Sequence, residues 1–392
     1  MRIAMVHSSF AIRGGAEQYV RNLSAALTQR GHEVRVFSGP SAHSLPDDVP
    51  IRPRVAARLG QPGTRTGKIL THMGDLVDPT GLRVDALRDF APGVVHVHNW
   101  QGLGTLPVGR LVRAYPSVHS VHDHAVCDPN NALGNLGRSP GLDRLLRLRS
   151  GWVMRRLSPA VLLFPSERTR RRVLGSAPGV RRVTDRVVPL AMPTPPRCRE
   201  MPYGGRNVFL YLGALAAHKG LDLLLEAWRD AGSPTGGTLL IGGDGPLRAE
   251  VERLAEDMPS VRYLGHLDEA GKEAAFASAG WLVFPSRGAE TFGLVCAEAL
   301  VAGRPVIANS IAAPPMASDG SVLLFREPEE LAELLRRAAS MPDGEYDAMT
   351  ASAIEDGRRL DWDRHVDTII QSYESVMAAP ADGRSSFRVT TR

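Results

Sequence analysis

The 392-residue sequence predicts an α/β protein made of two Rossmann-like halves, and three observations lead there. Short β-branched runs alternate with longer amphipathic ones, the pattern of strand–helix units around a parallel sheet. The strand candidates end in polar, glycine-containing or proline-containing loops. Finally, Pro189 to Pro202 carries five prolines in fourteen residues. Neither a regular helix nor a central strand tolerates that density, so the chain is expected to divide there.

Taken in order, Arg2 to His7 reads as a buried strand. A Gly14-Gly15 turn leads into a helix over Ala16 to Arg30, closed by Gly31,. Glu33 to Ser38, Val94 to His98, Val118 to His122 and Ala160 to Pro165 are the next strands. Beyond the proline-rich stretch the rhythm restarts at Asn207 to Gly213. Further strands are expected at Thr238 to Gly242, Val261 to Gly265, Trp281 to Pro285, Pro305 to Asn309 and Val322 to Phe325, with helices between them,. The organisation expected is an N-terminal domain over 1–190, a linker over 191–203, a second domain over 204–360, a terminal helix over 361–378 and a flexible tail over 379–392.

Composition narrows the function. At 43% hydrophobic and 23% charged residues the chain is neither collagen-like nor disordered,. Cys127, Cys198 and Cys296 lie far apart without C-x-x-C spacing, so free thiols are expected rather than a disulfide framework or a cysteine zinc site,. The N-terminal residues lack the apolar core of a signal peptide, and a cytoplasmic protein is expected. The net charge is +5, but Arg138 to Arg186 holds thirteen arginines against three acids. Most charge runs are simply solvated faces. This one would also suit peripheral contact with the inner face of a membrane. No nucleic-acid partner is expected. Of 47 basic residues only Lys68, Lys219 and Lys272 are lysine, which draws attention to each of them.

In open parallel sheets ligands collect outside the carboxyl ends of the strands, so loops there are where chemistry is expected. Phe284 to Ala308, FPSRGAETFGLVCAEALVAGRPVIA, ends a strand and carries Glu290 in a loop. It starts a helix near Phe292-Gly293 and holds Glu298 one to two turns in. A helix N-terminus offers unpaired N–H groups to an anion such as a diphosphate. Eight residues would put the glutamates about 12 Å apart along a continuous helix. That is beyond the roughly 5 to 9.5 Å of a glycosidase carboxyl pair. They suit two ends of one long ligand, Glu290 on sugar hydroxyls and Glu298 on a ribose diol. Phe209 to Trp228 carries Lys219 in a loop between strand and helix, where an ammonium can meet phosphate. Gly14-Gly15 lets backbone approach a ligand but lacks the full dinucleotide fingerprint. Gly242-Gly243-Asp244-Gly245-Pro246 is a similar turn, with Pro246 suited to a first helical turn.

Histidines concentrate at His96, His98, His119, His122 and His124. Strand alternation puts His96 and His98 on one face, and His122 closes a strand. A metal site there would need further acidic ligands, and most strand histidines are packed or hydrogen-bonded. Asp361-Trp362-Asp363 imitates a cation-binding D-x-D but stands at a helix start, where an N-cap and a first-turn charge account for it.

The order GGAE, HVHN, HDH with Cys127-Asp128-Pro129, FPS, G-A-L-x-x-x-K-G, GGDGP and E-T-F-G-L-V-C-A-E-A-L-x-x-G-R-P-V-I-A resembles glycosyltransferase family 4, retaining enzymes of the GT-B fold. The resemblance runs from Ile3 to about Ala308 and returns in the terminal helix. It implies two Rossmann-like domains facing across a cleft, with the last helix crossing back to the first domain. The first would bind the acceptor and the second a nucleotide-diphosphate sugar of UDP or GDP type. It further implies that Glu290 contacts the donor sugar, that Glu298 holds the ribose and that Lys219 meets the pyrophosphate. Phe292, Gly293, Leu294 and Val295 would offer backbone to sugar and phosphates, Gly14 and Gly15 would approach the donor, and His122 would line the junction with the acceptor. The chemistry implied is front-face transfer, with no metal or other cofactor required. The acceptor would be a carbohydrate, a lipid-linked sugar or a small molecule. Two positions depart from the family. Ala214 stands where arginine usually partners the lysine, which shifts phosphate binding onto Lys219 and the helix terminus. Ser310 to Met316 replaces a Gly-Gly loop followed by an acid.

Three other readings are open to the sequence: a nucleotide-sugar epimerase of similar fold, a metal-dependent hydrolase built on the histidines, and a nucleotide-sugar-binding protein that has lost transfer.

Overall fold

The computed structural model describes residues 1–8, 15–38, 48–51, 74, 76, 84–128, 140–158, 160–177, 180, 184–193, 205–232 and 236–379. Gly14, Cys198, residues 194–203 of the expected linker, residue 204 at the start of the expected second domain and the expected tail from 380 onward lie outside them. The chain divides into two compact units, Met1–Pro189 with Asp363–Arg392, and Leu190–Trp362.

The first unit runs β1 (Arg2–His7), α1 (Gly15–Gln29), β2 (Glu33–Ser38), β3 (Val49–Pro50), α2 (Asp85–Phe90), β4 (Val94–Val97), α3 (Thr105–Ala114), β5 (Ser117–Ser120), α4 (Pro140–Leu157), β6 (Val161–Phe164), α5 (Glu167–Ser176) and β7 (Asp185–Val187). Its parallel sheet has the order β3-β2-β1-β4-β5-β6-β7. Both faces of the central strands are covered, which is why Ile3, Ala4, Met5 and Val6 form an unbroken apolar run,. Along α1, Tyr19, Val20, Leu23 and Leu27 are buried at helical spacing,. The helix stops where Gly31 turns left-handed, its N–H donating to the Thr28 carbonyl. Ser166 caps α5 by accepting from the Thr169 N–H,. The edge strands β3 and β7 were not among the expected ones. One has two residues including a proline, the other is polar and exposed, so neither shows an apolar run. Proline is tolerated there because an edge strand need not donate on both sides,.

The second unit runs β8 (Gly205–Leu212), a 3₁₀ turn Ala217–Lys219, α6 (Leu221–Ala231), β9 (Thr238–Gly242), α7 (Arg248–Asp257), β10 (Val261–Gly265), α8 (Glu269–Ser278), β11 (Ala279–Phe284), α9 (Leu294–Val301), β12 (Val306–Asn309), β13 (Val322–Phe325), α10 (Pro328–Ala339) and α11 (Asp343–Arg358). The strands are parallel in the order β10-β9-β8-β11-β12-β13. Pro246 does not open a helix: α7 begins at Arg248 with Leu247 at its N-cap, so the proline stays in the preceding turn. In the GRP stretch, Arg304 is only 2% exposed because its guanidinium closes the end of α8. Its Nε donates to the Phe276 carbonyl at 2.9 Å. That satisfies acceptors left open at a helix C-terminus.

The last helix, α12 (Trp362–Ala378), packs with the first unit. Tyr373 and His96 are joined at 2.7 Å and Tyr19 and His365 at 2.8 Å. Asp363 pairs with Arg30 at 2.9 Å, an ordinary first-turn ion pair. The histidines form a buried layer at the strand ends. The His96 and His98 rings lie 4.0 Å apart on one face, and His96 also meets Ser120 Oγ at 2.8 Å. Burial holds these rings neutral: it pushes His96 and His98 well below their usual range, and His119 and His365 down to about 4. An unfolded chain would protonate them near pH 6.5. The unfolded state therefore binds more protons below that pH, and the stability these groups support at neutral pH declines as pH falls from about 6.5 through about 4. Thermal unfolding followed against pH should show the midpoint falling across that window, with a shallower fall in His365→Gln. A midpoint flat from pH 7 to 4 would contradict this.

Candidate active site

In the second sheet β8 and β11 are neighbours, and strand order runs one way from β8 and the other way from β11. Such a reversal leaves a crevice between the loops that follow the two strands. Here the loops are pressed together. The Arg287 N–H donates to the His218 carbonyl at 3.1 Å. Gly220 sits at φ +71°, and a Cβ on it would stand 1.9 Å from the Pro285 carbonyl oxygen, so only glycine fits,.

That approach brings Lys219 and Glu290 into contact, Nζ to Oε1 at 2.7 Å. Ser286, buried at the end of β11, donates its hydroxyl to the same Oε1 at 2.8 Å. The Lys219 ammonium has three donors, so two stay available for a further acceptor. Glu290 stands before the helix rather than on it, because α9 begins at Leu294. The 12 Å spacing along one helix therefore does not apply. Gly293 takes φ +83° as N-cap and offers no side chain to the first turn, leaving the Leu294 and Val295 N–H groups without intrahelical partners,. Phe292 is buried beside them.

Glu298 lies on the second turn of α9, half-buried, and accepts from Lys272 Nζ at 3.0 Å. Lys272 also meets Glu269 at 2.8 Å. Burial pushes the Glu298 carboxyl upward and the Lys272 charge opposes it. For Lys272, burial would lower its pKa, but Glu298 and Glu269 outweigh that and the net direction is up. Cys296 lies within the field of both Glu290 and Glu298. Burial first, then those two charges, pushes its thiol well up, so it is an inert packing residue,.

In the first unit, Gly15 opens α1. His122 follows β5, with Nε2 3.0 Å from His98 Nδ1 and its ring 5.2 Å from that of Tyr19. Asp123 accepts from the Ala125 N–H at 2.9 Å, and Arg149 of α4 donates to the Ala125 and Val126 carbonyls, which ties that loop to the helix. Among the described residues no group of three His, Cys, Asp or Glu side chains is placed to hold a metal ion.

Neither the role of Ser286 nor the partnership of Lys272 with Glu298 was legible in the sequence. Ser286 is the serine of the second FPS, Phe284-Pro285-Ser286; the partnership was signalled only by the scarcity of lysine.

Residues 13–193 match Glycosyltransferase Family 4 and residues 206–340 match Glycosyl transferases group 1. The chain belongs to glycosyltransferase family 4. Among its relatives is a glycogen synthase of Mycobacterium tuberculosis, 29% identical over 79% of this chain and 78% of that one. A phosphatidyl-myo-inositol mannosyltransferase of the same organism is 27% identical over 97% and 98%. Among solved structures, sucrose-phosphate synthase from Thermosynechococcus elongatus superposes with TM-score 0.73 at 19% identity, over 97% of this chain and 100% of that one. Anabaena Alr3699/HepE in complex with UDP-glucose gives 0.64 at 18%, over 96% and 100%. The two parallel-sheet units are those of the GT-B class, and the protein is a glycosyltransferase, which removes the epimerase and hydrolase readings.

The Gly220 contact is the local test of this geometry. Gly220→Ala should destabilise the second unit by about 3 kcal/mol or more, through left-handed strain and the backbone clash together. Chemical denaturation measures it; a change below about 0.5 kcal/mol would mean the loops are not held together as described.

Proposed function

We propose that this glycosyltransferase moves a sugar from a nucleoside-diphosphate sugar to an acceptor hydroxyl with retention of anomeric configuration and without a metal ion. The observation that carries the reading is the Lys219–Glu290 pair beside the open first turn of α9. A diphosphate seated on the Leu294 and Val295 N–H groups would meet the helix dipole and the two remaining donors of Lys219. With Ala214 in place of arginine, these groups carry most of the phosphate binding in this chain.

Glu290 is ill-suited to be a nucleophile, because Oε1 is already occupied by Lys219 and Ser286. Its other oxygen is better suited to accept from a donor-sugar hydroxyl and so orient the ring. Glu298 would accept from the ribose diol, with Lys272 steadying its charge. The anomeric carbon then loses its bond to the β-phosphate oxygen as the acceptor oxygen bonds on the same face. The acceptor proton passes to the departing phosphate oxygen, and the cationic end of the site stabilises the charge that develops there. His122 and Gly15, in the first unit, are assigned to the acceptor side and to the donor's approach. The nucleotide is of UDP or GDP type, supported by the UDP-glucose held by the Anabaena relative. The acceptor is a carbohydrate, a lipid-linked sugar or a small hydroxylated molecule.

Glu290→Gln should lower transfer kcat by about a hundredfold while nucleoside-diphosphate affinity, measured by calorimetry, changes only severalfold. Lys219→Met should weaken that affinity itself. Transfer at the parental rate in Glu290→Gln would refute the assignment. Chelator should leave the transfer rate within about twofold, since Lys219 and the helix terminus meet the phosphate charge; abolition by chelator, reversed by a divalent cation, would refute metal independence.

A further inference from the structure

Helix α4 (Pro140–Leu157) does two things at once. Its C-terminal half is built into the first unit: Ser150, Val153, Met154 and Leu157 are buried, and Arg149 bonds the carbonyls of Ala125 and Val126. Its N-terminal half leaves Leu142, Leu145 and Leu148 exposed by 45%, 62% and 64%. They make up three of the seven exposed large hydrophobic residues among those described. A single exposed leucine is unremarkable, but three at three-residue spacing fall within an arc of about 120° and form a stripe. Trp152, half-buried, continues it, with the Arg156 guanidinium 4.9 Å above its ring.

The charge around the stripe has one sign. The helix holds five arginines against Asp143 alone. Arg147 is paired with Asp143 at 2.9 Å, while Arg144 and Arg155 carry no ion pair among the described residues. On neighbouring α5, Glu167 pairs with Arg170 and Arg171, and Asp185 with Arg170, so the acids of the segment are already engaged. A second copy of the chain docking on this stripe would set arginines against arginines. An anionic bilayer surface meets both features, taking leucines into the acyl boundary and arginines among its phosphates. No helix among the described residues is long and apolar enough to cross a membrane, so α4 would lie on the surface rather than span it.

We infer that the exposed leucine stripe of α4, flanked by Arg144 and Arg155, docks the protein on a lipid surface rich in anionic headgroups. Counting charge along the sequence points to the basic segment; the structure adds the leucines and the helix that presents them. The inference does not depend on sugar transfer.

The test is flotation of the full chain with vesicles of phosphatidylglycerol and phosphatidylcholine, or of phosphatidylcholine alone. The protein should float with the first and not with the second. Leu145→Gln/Leu148→Gln should cut the bound fraction about tenfold, and Arg144→Gln/Arg155→Gln should cut it severalfold, the latter deficit vanishing in high salt. Thermal shift by uridine and guanosine diphosphate, measured on the same variants, should match the parent. That assay reports on the donor site alone, so failure of the transfer reading and failure of docking appear in different experiments. Docking through α4 is overturned if the parent does not float with anionic vesicles. Flotation undiminished in the leucine variant overturns it too, as does a solution dimer that this variant dissociates.

Discussion

The donor-side unit depends on two strand-end loops coming closer than side chains would allow. At the reversal of strand order between β8 and β11, a residue without a Cβ lets the lysine-bearing turn rest on the Pro285 carbonyl. The Lys219–Glu290 contact and the serine that shares the same carboxylate oxygen follow from this approach, and the open N–H groups at the start of α9 lie one step further along the same loop. Unlike a surface ion pair, which salt and side-chain entropy reduce to little, this one is half-buried and fixed by a third group,. Its worth lies in orientation more than in stability.

The first unit solves a different problem. Three of its strands, β1, β4 and β5, carry buried histidines at or near their ends, and a polar ring in a core must find partners,. Several come from far along the chain: Tyr373 for His96 and, reciprocally, His365 for Tyr19. The terminal helix is thus attached through polar contacts to imidazoles that burial keeps neutral, so its attachment is coupled to pH. A core of leucines in the same places would lack that coupling.

Local patterns made most of the sheet readable. β1, β2, β9, β10 and β13 occupy the expected residues: β1 and β9 are covered on both faces and read as near-continuous apolar runs, while β2, β10 and β13 carry shorter apolar stretches bounded by turns,. The edge strands β3 and β7 were invisible for the converse reason, being short and partly wet. Lys219 and Glu290 could be seen because they sit in loops that follow strands, and Glu298 because it lies early on the helix after one; family likeness attached roles to them. Which groups touch was not readable. Ser286 on Glu290, Lys272 on Glu298 and Tyr373 on His96 are tertiary contacts between residues whose local sequence carries no mark of the partner. The exposed leucines of α4 were hidden for a related reason, since leucine at helical spacing ordinarily signals a buried face.

The most direct measurement is a double-mutant cycle on Lys219 and Glu290, with Lys219→Met, Glu290→Gln and the double variant compared by kcat/KM for sugar transfer. If the two groups act as one unit around the diphosphate and the sugar it carries, the double variant should be little worse than the more damaged single one, with a coupling of about 1.5 kcal/mol or more. Losses that simply add would contradict the account, since the two side chains would then be serving separate ends.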